Sequence, residues 1–230
     1  MDREIKKYFG NAIAIIFSCR ELLFAYLTIC IFEYSYSFFP QNLHIVVLVA
    51  SISFSFFLMP MAYGRYIEII NGSYLTSYKS LFKTHWINYY SVILILMAIL
   101  FPFIFILNFI LTDHTVHIVR YVGELLIGIL SIFIFPLVFL LRERKRPIIL
   151  GFKCIVGNAS DSFYLILLVL FAFIIQLLYE NFGLLFGEVN KPIIFFLGFV
   201  AGFISMVIDF IVFIVAAMIL NTKLLKEDHQ

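Results

Sequence analysis

The chain has 230 residues, 63% of them hydrophobic and 13% charged, with a mean hydropathy of +1.07 and a formal net charge of +2. A soluble domain carries about 25% charged residues, so lipid must solvate most of this surface, and so small a net charge argues against a nucleic-acid partner. Three cysteines, Cys19, Cys30 and Cys154, with no CxxC spacing, argue against a disulfide framework or zinc cluster and read as small apolar packers.

In chain order, residues 2–17 begin with charges and turn apolar. Asp2 and Glu4 and the lack of a small-residue cleavage site argue against a signal peptide, so the segment reads as a retained helix lying in the membrane interface. Crossing a bilayer takes about 20 mainly apolar residues. Windows of that kind fall at about 21–39, 45–63, 88–111, 116–141, 162–179 and 193–220. Between the second and third lies SYLTSYKSLFKTHW, where Tyr74, Tyr78, Leu81, Phe82 and Trp86 recur at three- and four-residue steps and Lys79 and Lys83 lie opposite. That spacing predicts a second interfacial helix, with Trp86 and Tyr89 at headgroup level and His85 in the interface. PIILGFKCIV, residues 147–156, predicts a third.

With the N-terminus in the cytoplasm, fourteen of the sixteen Lys and Arg residues fall inside and only Arg120 and Lys191 outside. This asymmetry sets the topology, with both ends cytoplasmic. The RERKR run, with Arg142, Arg144, Lys145 and Arg146, ends the fourth span against anionic headgroups or a docking partner. Lys79, Lys83 and Trp86 are further headgroup or partner contacts. The expected fold is one all-α membrane domain over 1–230, with six transmembrane helices and short amphipathic interfacial helices on the cytoplasmic side.

Each third of the chain, about 2–65, 73–142 and 147–222, also reads as an interfacial helix followed by a hairpin. Either this is a degenerate three-fold repeat or apolar text aligning by chance. The marks are FLMP (57–60) and FIFP (133–136), followed by Arg65 and Arg142, and SLFK (80–83) and LGFK (150–153). This layout resembles the uncharacterised bacterial six-span inner-membrane proteins of the YciC type and the membrane domain of some glycerophosphodiester phosphodiesterases. The resemblance implies a membrane-embedded, non-enzymatic or accessory protein. It carries over no active-site residue, because no soluble segment can hold a phosphodiesterase domain.

Asp209, in the middle of the sixth window, is the first candidate site residue. A charged side chain at the bilayer centre costs roughly 2.5–3.5 kcal/mol on insertion scales, so it must face protein or water. It serves either as a proton- or cation-linked site or as helix glue. Glu33, Arg120, Glu124, Asn108 and Gln176 are the other polar residues at membrane depth. Together with Asp209 they line one cavity or make separate interhelical bonds, and Arg120 pairs with Glu124 or with Glu33. Asp113, His114 and His117 form a DHxxH, the weak candidate for a metal. Gly198 and Gly202 mark a close approach of helices. No GxxxxGK[ST], HExxH or GxSxG is found. The expectation is a protein that is not an enzyme and needs no cofactor, with lipids and other membrane subunits as partners. It is a scaffold or accessory subunit of a membrane complex or, alternatively, a small-solute or lipid transporter or permease subunit using Asp209. The Phe- and Ile-rich text points to a bacterial inner membrane.

Overall fold

Apolar residues run so continuously that helix is the one way for this backbone to satisfy its own polar groups away from water. The computed structural model describes residues 3–35, 38–73, 75–110, 113–142, 146–182 and 190–227, and all the regular structure among them is helical. The helices are α1 (Arg3–Ser18), α2 (Arg20–Ser35), α3 (Gln41–Ile70), α4 (Tyr78–Ile110), α5 (Asp113–Leu141), α6 (Arg146–Gly157), α7 (Ala159–Glu180) and α8 (Lys191–Glu227). Among the described residues, four helices are long and apolar enough to cross a membrane: Asn42–Ile70, Val119–Leu141, Ala159–Glu180 and Lys191–Thr222. The pair α1 and α2, bent by 80°, makes a fifth if it counts as one span. The chain is therefore an all-helical membrane protein.

The helices depart from the sequence reading in three places. The first window does not reach residue 39, because α2 ends at Ser35. Its 16 residues extend about 24 Å, short of a hydrocarbon core of about 30 Å. The bend before it has a local cause. The Ser18 hydroxyl donates to the Ile15 carbonyl at 2.7 Å, and the Cys19 amide is shared between the Ile15 and Ile16 carbonyls, so side chain and backbone compete for one acceptor. In the second place, residues 73–86 form no separate interfacial helix. Helix starts at Tyr78 and runs unbroken to Ile110. Thirdly, Tyr89 is a core residue rather than a headgroup anchor: it is buried against Tyr63, Phe135 and Phe139.

The turn after α3 is a Schellman motif. Gly72, at φ +61°, lets its amide reach the Ile69 carbonyl and the Ser73 amide reach Glu68. The break between α6 and α7 falls at Asn158, whose side-chain amide donates back to the Cys154 carbonyl at 2.8 Å.

The long last helix, α8, is the central post. It packs against α1, α2, α3, α5 and α7. In its most apolar stretch 61% of residues are buried, against 17% for α7, which makes α7 peripheral. Residues 212–220 are buried on every face, as a helix enclosed by others must be. Around it Tyr63 stacks on Phe213 at 4.1 Å, and Phe139 meets both rings edge-on. Exposed Ile45, Val46, Leu48, Val49, Ile52 and Phe54 on α3 give lipid an apolar surface.

Candidate functional site

Asp209 lies 18 residues after Lys191 and 13 before Thr222, near the middle of that apolar span. Its neighbours Ile208 and Phe210 are buried, whereas Asp209 is open to a cavity of about 200 Å³. That cavity has room for several waters at about 30 Å³ each. One face of α5 forms a wall of it, through Gly128, Ser131, Ile132, Phe135 and Pro136; Tyr63, Val169, Val212 and Phe213 complete it. The spacing i, i+3, i+4, i+7, i+8 puts the α5 residues on one side of that helix.

The cavity is rich in oxygen acceptors. Pro136 has no N–H, so the Ile132 carbonyl one turn earlier loses its helical donor. The Ser131 hydroxyl donates to the Gly128 carbonyl at 2.8 Å and keeps its lone pairs. Among the described residues no hydrogen bond or ion pair reaches the Asp209 carboxylate. A carboxylate and a hydroxyl lining one small space, beside a carbonyl without its helical donor, suit a proton, a hydrated monovalent cation or the ammonium end of a solute.

The other polar residues at membrane depth do not share this cavity. Glu33 and Gln176 line a second one, of about 450 Å³, with His44, Tyr34 and Glu180, where the Gln176 amide donates to Glu180 at 3.3 Å. The separation is axial. The Tyr34 ring packs on Gly202 and, with Tyr179, on Gly198, so closely that a Cβ at either glycine would collide with it. Asp209 lies seven residues beyond Gly202, about 10 Å further along the helix. The small residues of α8 thus admit an aromatic ring rather than another backbone. Arg120 pairs with Glu124 at 2.8 Å on the α5 surface, not with Glu33; with 52% and 45% of the side chains exposed, the pair contributes about 0–1 kcal/mol. The side chains of Asn108, Asp113, His114 and His117 lie outside the described residues, as do Arg144 and Lys145. Among the described residues no group of three potential metal ligands occurs. No family model, curated protein or solved structure matches this chain.

A further polar assembly joins the ends of α3, α4 and α5. Buried Arg65 binds Glu68 at 2.8 Å and the Thr76 carbonyl at 2.6 Å, and its guanidinium lies 4.6 Å from the Tyr78 ring centre. Tyr78 in turn donates to Glu21 at 2.5 Å. His85, predicted to lie in the interface, is instead buried against Phe139, with ring centres 4.7 Å apart. Its Nδ1 has no hydrogen-bond partner. Lys79, Lys83, Arg142 and Arg146 are exposed, and Trp86, 39% exposed, stacks on Phe82. Sequence offered one cue to this assembly, Arg65 and Glu68 three apart before an Asn-Gly turn.

Proposed function

We propose that this protein is a small-solute transporter or permease subunit of the bacterial inner membrane, with Asp209 as the group that binds a proton or a cationic moiety. The observation that carries the reading is a carboxylate near the middle of an apolar span, open to a cavity and without a hydrogen-bond or ion-pair partner among the described residues. Such a group is costly to keep in a bilayer unless something it binds repays the cost. The proposal includes six spans with both ends in the cytoplasm, α4 supplying the third. In support of that topology, Lys7, Asn11, Ile70 and Asn221 line one cavity, and Glu33, His44 and Glu180 another. It also includes the three-fold repeat and the layout-level kinship with YciC-type proteins. In support, a short helix precedes a break at Cys19 and again at Asn158, while the middle unit has its two pieces fused in α4.

Reconstitution tests this reading. In proteoliposomes carrying an internal pH dye and a potassium diffusion potential, the wild-type protein conducts protons or exchanges them for a monovalent cation. Asp209→Asn lowers that flux at least ten-fold. Its melting temperature stays level or rises, because an unpaired carboxylate is replaced by a neutral amide. Equal flux from both proteins, or none from either, removes the proposal. No flux together with a stoichiometric partner in mild detergent would favour the scaffold or accessory role instead.

A further inference from the structure

The assembly at the ends of α3, α4 and α5 encloses a polar cavity of about 160 Å³. It is separate from the Asp209 cavity and shares no lining residue with it. Ser80 and Thr84, four residues apart on α4, present two hydroxyls to it; Asn71 adds an amide and Arg142 a guanidinium. Neither hydroxyl nor the Asn71 amide makes a side-chain hydrogen bond among the described residues. His85, 5% exposed, lines the cavity, and its Nδ1 is an unsatisfied polar atom. Leaving a buried group of that kind without a partner is unfavourable.

The charge balance favours an anion. Glu68 also lines the cavity, but Arg65 takes its Oε2 and the Thr76 hydroxyl and amide its Oε1, so that carboxylate is neutralised and engaged. Among the described residues no ion pair reaches Arg142, which brings a positive charge to the cavity. Its position is fixed: Arg142 is the single non-glycine residue with positive φ among those described, at 54°, and Asn88 donates to its carbonyl at 3.0 Å. The left-handed conformation is disfavoured outside glycine, and here the residue that adopts it lines the cavity with Ser80, Thr84 and Asn71. Lys79 and Lys83, each next in sequence to a residue that lines the cavity, are exposed.

We propose that the cavity between α3, α4 and α5 binds a single phosphate group through Arg142, Ser80, Thr84, Asn71 and His85. The phosphate comes either from an anionic lipid headgroup or from free phosphate; both present the same tetrahedral oxyanion to these donors.

The test uses the full chain in neutral detergent. Melting temperature is followed against inorganic phosphate, against micellar phosphatidylglycerol, and against chloride at matched ionic strength. The wild type shows a saturable rise with phosphate, with phosphatidylglycerol or with both, and none with chloride. A rise with phosphatidylglycerol alone assigns a lipid; a rise with phosphate alone assigns the free ion. Arg142→Gly keeps the left-handed turn and removes the guanidinium, so it retains the unliganded melting temperature while weakening apparent affinity at least ten-fold. Thr84→Val, at an exposed position, does the same more mildly. Failure of both anions to give a saturable shift overturns the proposal. So does a shift of unchanged affinity in both variants.

Discussion

Single residues show where local chemistry sets behaviour. Burial holds the His85 imidazole neutral, down to about 4 from 6.5; nearby Arg142 acts in the same direction and Glu68 opposes it. A base whose folded value is depressed stabilises the fold in full above the unfolded value and loses that contribution as protons bind the unfolded chain. Stability therefore falls between pH 6.5 and about 4 and levels off below that. His85→Phe should flatten this part of the profile in thermal melts from pH 8 to 4; an unchanged slope would move the dependence elsewhere. Asp209 was legible as a candidate because one carboxylate interrupts a long oily run. His85 was not. Lys83 and Trp86 beside it are interfacial types, and its burial depends on Gly64 and Phe139 from other helices. A Cβ on Gly64 would already stand 3.0 Å from the His85 ring.

At the scale of elements, the helices were legible and their junctions were not. Hydropathy locates a run of apolar side chains, but the same lysines and tryptophan suit a helix that turns into the interface and one that continues straight. So residues 78–88 are the start of α4, while the similar pattern before Cys19 ends in an 80° bend. Nor does sequence give the axial offset between helices, which is why it left open whether Glu33 and Asp209 share one cavity, and they line separate ones. That offset is fixed where Tyr34 docks on α8. Gly202→Val should overpack the contact and cost about 1–3 kcal/mol, read as a lower melting temperature in detergent. Tyr34→Ala in the same chain should recover part of the loss, since residues in contact are not additive. Fully additive effects would mean the ring and the glycine do not meet.

For the whole molecule, the proposed topology has both chain ends on the cytoplasmic side, and α1 lines a common cavity with Met218, Asn221 and Thr222 of α8. An epitope appended after Gln230 should resist external protease in intact cells and be cut once the membrane is permeabilised. Digestion in intact cells would invert the topology and place Arg142 and its neighbours at the opposite face. The apolar bulk of the fold is what sequence conveys well, because lipid selects on composition. The two polar cavities escape it, because each is assembled by residues from at least three helices whose packing no local pattern records.

Among the described helices the central one is also the last in chain order. If the helices enter the membrane in chain order, the surfaces of α1, α2, α3, α5 and α7 that pack on α8 face lipid until it arrives. Membrane insertion and final closure are then separate events, and the ring of earlier helices has to wait, loosely associated, for its axle.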